Sequence, residues 1–364
     1  MAVSRINEAG LNVNQYGNRN ILMNGAMVLD QRNSASAVTP SDGNYTLDRF
    51  HVDASAASKF SVQQVTDAPT DFSNSLKVTS LSAYSVSSSD FLDIQQPIEG
   101  FNSAQLNLGT ANAKVMTLSF YVKSSLTGTF GGAFSNSAYN RSYPFSYTIS
   151  AADTWERKTV TLTGDTSGTW IGSTNGIGLR VVWSVGAGSG RINTAGAWVG
   201  SLALGATGQT NVVATNAATW QLTGVQLEVG DTATDFEHRT FGDQLQACER
   251  YYQKLLKHGD ASDGGNTCLG AAGVMYSSSY LAVPFGFKTT MRAAPTLISA
   301  NSTGCFKFYR DNSNDVFDDF ATGTARSPYS LELYNNSDIS GTAGQAGFIY
   351  AINSNATLAV NAEL

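Results

Sequence analysis

The stretch 115-VMTLSFYVK-123 alternates between apolar and polar residues over most of its length. One side of the extended chain would carry only apolar side chains, namely Met116, Leu118, Phe120 and Val122. This period of two is typical of a strand with one face in a core and the other face in water. The stretch therefore predicts a sheet within a β-sandwich.

The same alternation returns in 157-RKTVTLT-163 and 177-IGLRVVWSV-185. In 220-WQLTGVQLEV-229 the apolar phase changes at Gly224, from Trp220 and Leu222 before it to Val225 and Leu227 after it. One extra residue in a strand produces such a change. We therefore predict a β-bulge near Gly224.

Only 241-FGDQLQACERYYQKLLK-257 has a helical pattern, and Thr240 with Asp243 resembles a capping box at its start. This predicts a connecting helix over 240–258. Strand patterns continue in 304-GCFKFYR-310, 329-YSLELY-334 and 347-GFIYAIN-353. The predicted domains are an N-terminal arm (1–20), a β-sandwich (21–239), the connecting helix (240–258) and a small β-domain (259–364).

Composition excludes several classes of protein. The 364 residues are 42% hydrophobic and only 14% charged, and the richness in Gly, Phe and Tyr favours short strands over a helical bundle. The net charge is −6 with scattered Lys and Arg, so we expect no nucleic acid partner. No long apolar run or secretory leader is visible, which predicts synthesis in the cytoplasm without membrane insertion. The three cysteines are interpreted as reduced thiols.

Residues 1–20 are rich in Asn and lack apolar periodicity. Such an arm either stays disordered or docks onto something else. In the second case it would be an attachment segment.

Several segments together resemble bacteriophage tail-fibre proteins over about residues 20–255. They are 21-ILMNGAMVLDQRN-33, 117-TLSFYVKSSLTGTF-130, 154-TWERKTVTLTGDTSGTW-170 and, above all, 220-WQLTGVQLEVGDTATDFEHRTFGDQLQACERYYQK-254. The later 284-PFGFKTTMRAAPTLIS-299 is similar to the closing module of such fibres. The resemblance implies a jelly-roll sandwich similar to carbohydrate-binding modules, a short connecting helix and a small C-terminal β-domain, assembled as a homotrimer. It also implies a virion appendage, made in the host cytoplasm, whose arm binds another virion protein.

No catalytic motif accompanies His51, His238 or His258, and neither a phosphate-binding loop nor a nucleophile elbow occurs. We therefore expect no enzyme activity. A glycosidase needs only two carboxylates, and Asp90, Asp93 and Glu99 are the candidates for such a pair. Our preferred interpretation of the three is solvated loop acids.

Glycan binding needs aromatic faces and polar groups that pair with hydroxyls. The stretch 136-NSAYNRSYPFSY-147 offers both, in Tyr139, Asn140, Arg141 and Tyr143. The alternative is a strand with its tyrosines packed inward and its arginine paired at the surface. Trp198 in the glycine-rich 186–208 is the fifth candidate; its alternatives are an interface anchor or a cover over the core.

A calcium loop at 311-DNSNDVFDD-319 is disfavoured, because Val316 replaces the required glycine, and a hairpin turn is expected. The resemblance implies a different, structural calcium where the first and last strands meet, near Asn24 and Glu228. No other cofactor is predicted.

The function hypothesis is a non-catalytic, multivalent adhesin, a short tail fibre or fibre tip, for a host-surface glycan. A capsid decoration or head fibre is the alternative, and a glycan depolymerase the third. Because the C-terminal region is rich in Phe and Tyr and poor in charge, we expect residues 260–364 to contribute to the trimer interface.

Overall fold

The computed structural model describes residues 18–300 and 302–364. Strands make up 43% of the chain and helices 5%, which confirms the predicted mostly-β class. The described chain divides into two compact units, residues 18–244 with Leu364 and residues 245–363. No helix in these described ranges has both the length and the apolar character that a membrane crossing requires.

The first unit is a sandwich of two antiparallel sheets. Its strands are β1 (Asn44–Tyr45), β2 (His51–Ala54), β3 (Phe60–Val65), β4 (Ser75–Ser80), β5 (Phe91–Glu99), β6 (Met116–Ser124), β7 (Gly128–Ser135), β8 (Ser142–Ile149), β9 (Glu156–Leu162), β10 (Ile177–Ala187), β11 (Ile192–Asn193), β12 (Gly205–Ala206) and β13 (Thr219–Val229). One sheet has the order β1-β2-β5-β10-β7-β8 and the other β3-β4-β13-β6-β9, while β11 and β12 form a short parallel pair. A one-turn helix, α1 (Gly100–Ser103), follows β5.

The core lies between these two sheets. Phe120 of β6 meets Trp183 of β10 with ring centroids 5.9 Å apart. The four apolar residues of the quoted stretch are fully buried, as the alternation predicted. The indole nitrogen of Trp220 donates a hydrogen bond to the Tyr147 hydroxyl at 3.1 Å, so this buried polar group is satisfied.

The predicted bulge is confirmed. The register between β13 and β6 shifts between Thr223 and Gln226, and Gly224 has a φ of 60°. Glycine adopts this left-handed backbone conformation more readily than residues with a side chain do. The extra residue turns both halves of β13 into the core, so Trp220 and Val225 are both fully buried.

The second unit contains most of the helix α2 (Phe241–Glu249) and two further sheets. Its strands are β14 (Tyr252–Lys257), β15 (Thr267–Ser277), β16 (Tyr280–Gly286), β17 (Thr296–Ser299), β18 (Phe306–Arg310), β19 (Ser313–Phe317), β20 (Ala321–Arg326), β21 (Ser330–Asn335), β22 (Ala346–Ala351) and β23 (Thr357–Asn361). Three form the sheet β14-β23-β17, and seven form the sheet β19-β18-β22-β15-β16-β21-β20. The tight turn between β18 and β19 is the hairpin expected in place of a calcium loop.

The connecting helix is shorter than predicted. It ends at Glu249, and the segment expected to complete it is the strand β14. This strand pairs with β23, where Tyr252 lies opposite Asn361 and Leu256 opposite Leu358. Burial of Tyr252 and Leu256 in this pairing outweighs the local helical pattern, because tertiary contacts routinely override propensity. The helix start is confirmed, since the Thr240 hydroxyl accepts a hydrogen bond from the Asp243 amide at 3.2 Å.

The predicted arm lies mostly outside the described residues. Its last residues, 18–20, belong to the sandwich instead. The Asn20 side chain donates to the carbonyl of Val225 and accepts from the amide of Leu227. These bonds to β13 leave residues 1–17 as the segment to which the attachment prediction applies.

Candidate functional site

The β7–β8 hairpin presents most of the candidate residues. Asn136 organises its loop, because its side-chain oxygen accepts from the amides of Asn140 and Arg141 at 3.1 and 3.2 Å. The side-chain nitrogen of Asn136 donates to the side-chain oxygen of Asn140 and to the carbonyl of Thr169. The hairpin loop is thereby joined to the loop between β9 and β10.

A two-point ion pair joins the same two loops. Arg141 donates from Nε and one terminal nitrogen to the two oxygens of Asp165, at 2.6 and 2.7 Å. The Asp165 side chain is only 3% exposed, and these hydrogen bonds raise the pKa of Arg141. The Arg141 stem lies over Gly168, where an added Cβ would come within 2.6 Å of its Cγ. Such paired, partly buried geometry fixes the loop more firmly than a single exposed contact would.

Three aromatic rings lie next to this ion pair. The rings of Tyr143 and Trp198 meet edge to face at 5.3 Å, and those of Trp198 and Trp170 at 5.4 Å. The indole N–H groups donate to backbone carbonyls, Trp198 to Thr163 at 2.8 Å and Trp170 to Ser167 at 2.9 Å. Both indoles are half-buried and pack against the core of the first unit, as the alternative of a cover over the core expected for Trp198, while part of each residue reaches solvent.

We call Asn140, Arg141, Asp165, Trp170 and Trp198 the tryptophan surface. A cavity of about 250 Å³ adjoins it, with Trp170 as a wall and polar side chains that include Asn107, Thr110 and Ser173. An aromatic face beside hydroxyl and amide groups is the chemistry that a sugar ring requires. Trp170 and Asp165 were missed in the sequence, although Trp170 ends the quoted 154–170 segment.

The structural neighbours of this chain are carbohydrate-binding modules and a phage tailspike domain. The enzymatically active domain of tailspike protein 4 from bacteriophage CBA120 is 12% identical, with a TM-score of 0.33 over 58% of this chain and 22% of that one. A CBM4 structure is 15% identical, with a TM-score of 0.29 over 57% and 98% of the two chains. The family 11 carbohydrate-binding module from Clostridium thermocellum is 11% identical, with a TM-score of 0.28 over 57% and 99%.

No protein-family model and no curated protein matches the chain. The match spans less than a quarter of the length of the tailspike domain. All three TM-scores lie below 0.5, so they assign neither a family nor an activity.

Tyr139 lies apart from the tryptophan surface. Arg180 lies over its ring at 4.1 Å, and its hydroxyl donates to Asp53 at 3.0 Å. Burial raises the pKa of Tyr139, and the positive charge of Arg180 offsets part of that rise. Its polar partners belong to β2 and β10, so the structure places this candidate on the outer face of the six-stranded sheet. Tyr143 is buried on the opposite, core face.

The three carboxyl groups considered for glycoside hydrolysis have separate environments. Asp90 accepts from the Tyr84 hydroxyl and the Ser87 amide, which holds its pKa below the usual range. Glu99 is 1% exposed at the end of β5. Asp93 is also 1% exposed, and burial raises its pKa well above the ordinary value. The expectation of solvated loop acids is therefore wrong for Asp93 and Glu99, because both lie on the central strand β5.

The two residues suggested for a structural calcium are engaged elsewhere. The Asn24 amide oxygen accepts from the amide of Leu29, and both Glu228 oxygens accept from Thr234. These contacts use oxygens that a cation would need. Across residues 18–300 and 302–364, no group of three or more His, Cys, Asp or Glu could hold a metal ion. The calcium stays a prediction.

Proposed function

We propose that this chain is a phage virion appendage, a short tail fibre or fibre tip, that binds a host-surface glycan without catalysis. The tryptophan surface is the observation that carries the proposal. Two half-buried indoles have their N–H groups already satisfied, so their exposed ring surface is available for stacking on a sugar. Asn140 is exposed beside them and supplies amide groups for hydroxyls.

An open surface of this kind holds one sugar weakly, since it buries little of the ligand. Affinity would then come from several copies acting together. Linked weak sites gain about 10²- to 10⁴-fold in avidity when they engage at once. This is why the proposal includes a homotrimer, with residues 1–17 attaching it to another virion protein.

The second unit has a surface suited to self-association. The outer face of its seven-stranded sheet exposes large apolar side chains, which we call the apolar face: Val274, Tyr276, Tyr309, Val316 and Phe348. Phe348 lies opposite Tyr309 in the register and is 57% exposed. Contiguous exposed apolar surface on a sheet favours contact with another chain.

We expect Trp170→Ala and Trp198→Ala each to weaken glycan binding about tenfold per site, because about 1.4 kcal/mol of stacking energy is lost. The multivalent protein would lose more affinity than a single site does. Binding to an array of bacterial surface polysaccharides measures the loss, and thermal melting shows whether the fold is retained. Trp155→Ala is the matched control, since Trp155 lies beside Lys123 and Asp67 rather than on the tryptophan surface. Folded tryptophan variants that bind as the wild type does would contradict this binding site, and a wild-type protein that binds no polysaccharide would contradict the adhesin and favour a capsid decoration.

Light scattering tests the trimer. The wild-type chain, at 38.5 kDa, is expected to run at three times its monomer mass. Phe348→Asp is expected to give monomers, because a charge on the apolar face would be buried without a partner. Tyr329→Asp is the control, because Tyr329 is 68% exposed but lies in the loop before β21. A wild-type protein that remains monomeric at micromolar concentration would disprove the trimer.

A further inference from the structure

A second cavity, away from the tryptophan surface, lies within the first unit. Its volume is about 520 Å³, within the range of small-molecule sites. We call it the aromatic cavity; its lining residues are Asp71, Phe72, Tyr121, Asp235, Phe236 and His238. None of them was a candidate in the sequence.

The rings of the aromatic cavity surround Phe72. Its centroid lies 5.4 Å from that of Tyr121, 5.0 Å from that of Phe236 and 5.3 Å from that of His238. The planes of Phe72 and Phe236 are inclined by 67°, and those of Phe236 and His238 by 74°. Inclined rings form a curved wall rather than the flat platform on which a pyranose stacks. The faces of the Phe72, Phe236 and Tyr121 rings carry the negative side of their quadrupoles.

The backbone is shaped to seat these rings. A Cβ on Gly224 would lie 2.8 Å from both Phe72 and Tyr121, so the bulge in β13 leaves the space that the two rings occupy. Thr223 donates to the carbonyl of Asn74 at 2.7 Å, and Gln226 accepts from the amide of Glu237 at 2.8 Å. These bonds tie both ring-bearing segments to β13, so the wall is preorganised.

Two carboxylates line the aromatic cavity, and the basic residue Arg157 lies next to it, opposite Tyr121 in the β6–β9 register, where it donates to the carbonyl of Thr234. Asp71 and Asp235 are exposed, and neither carboxylate has a hydrogen bond or ion pair to any residue in the described ranges. Arg19 lies close by, but it donates to the backbone carbonyl of Asp235 at 3.0 Å instead of to the carboxylate. Two unpaired carboxylates beside aromatic faces complement a positive charge.

We infer that the aromatic cavity binds a small organic ammonium group, of the kind carried by amino sugars and by choline. An ammonium within about 6 Å of ring centroids gains cation–π attraction, and the two carboxylates add Coulombic attraction at the rim. A neutral ligand of the same shape would gain only the apolar contact. This inference does not depend on the proposed function, since it concerns other residues and another ligand class.

The test compares charged and neutral probes of equal shape by calorimetric titration. Choline is paired with 3,3-dimethylbutan-1-ol, and glucosamine with glucose, in low and in high salt. We expect millimolar binding of at least one ammonium probe, no binding of its neutral counterpart, and weaker binding in high salt because salt screens exposed charges. Equal binding of charged and neutral probes, or no binding of either ammonium compound at millimolar concentration, would overturn the inference.

Substitutions test whether the ammonium probe binds in the aromatic cavity. The double variant Asp71→Asn/Asp235→Asn should bind the ammonium probe at least about tenfold more weakly, a change of about 1.4 kcal/mol. Asp153→Asn/Asp311→Asn removes the same charge from exposed sites outside the aromatic cavity and should bind as the wild type does. Phe236→Leu keeps an apolar side chain but removes a ring face, and should also weaken binding. Unchanged affinity in the folded double variant would contradict the site, whatever the glycan experiments show.

Discussion

Replacing Asp165 by alanine is expected to lower the free energy of unfolding of the first unit by about 2–4 kcal/mol, because removal of one partner leaves a partly buried charge unpaired. Asp165 receives both guanidinium bonds of Arg141 and a third from the amide of Ser167. Urea denaturation measures the change, with an unchanged m-value as the sign that stability alone is affected.

The same variant should lose glycan binding. Trp198 is held by the carbonyl of Thr163 and Trp170 by that of Ser167, and Asp165 lies between these two anchors on one loop. Releasing the loop therefore releases both indoles. Arg141→Ala and the double variant complete a cycle; because the two side chains act as a pair, their effects should not add. If Asp165→Ala lowers the free energy of unfolding by less than about 0.5 kcal/mol, the Arg141–Asp165 pair is no stronger than an exposed salt bridge.

Replacing Asp93 by asparagine is expected to stabilise the first unit at neutral pH. Asp93 lies on β5 directly opposite Asp53, and neither of its carboxyl oxygens has a hydrogen-bond partner within the described residues. Burial and the negative charge of Asp53 raise its pKa well above 3.8. Because the folded state keeps a proton that the unfolded chain releases, the free energy of unfolding falls as pH rises above about 3.8.

An asparagine side chain has nearly the same shape as the aspartate side chain, but it does not titrate. The variant should match the wild type near pH 3 and be more stable than the wild type at pH 8, by about 1.4 kcal/mol for each unit by which the folded-state pKa of Asp93 exceeds that of the unfolded chain. Denaturation at several pH values measures this difference in the free energy of unfolding. Asp90→Asn is a control of opposite sign, because hydrogen bonds lower the pKa of Asp90 and its stabilising effect is lost as pH falls. If the difference in free energy of unfolding between Asp93→Asn and the wild type does not change with pH, the raised pKa of Asp93 is disproved as its cause.

The local features were predictable from the sequence to the extent that they depend on neighbours along the chain. The alternation around Phe120 predicted a buried strand face, and the phase change at Gly224 predicted the bulge. The start of α2 at Thr240 was also found, since a cap involves residues three apart. The helix end was missed because β14 owes its conformation to β23, about 100 residues later.

The arrangement of the candidate glycan-binding residues was less predictable from the sequence. Four of the five predicted glycan-binding residues lie in the neighbourhood of the β7–β8 hairpin end, but Tyr139 turned towards Arg180 and Asp53. A positive φ of 54° at Tyr139 marks the turn that separates it from the other four. No periodicity reveals such a change of direction inside a loop.

The sequence by itself determined which side of β6 faces the core, where β13 is interrupted and that the chain is mostly β, since side-chain direction alternates with a period that any extended segment shows. Burial of Thr117 and Ser119 on the opposite side of β6 was not predicted. Only the tertiary structure decided which side chains meet. Arg141 pairs with Asp165, and the rings of Trp170 and Phe72 contact those of Trp198 and Phe236, although the partners are far apart in the sequence. The physical reason is that such contacts depend on strand order and register, which cross-strand packing selects for the whole sheet at once and no single segment encodes.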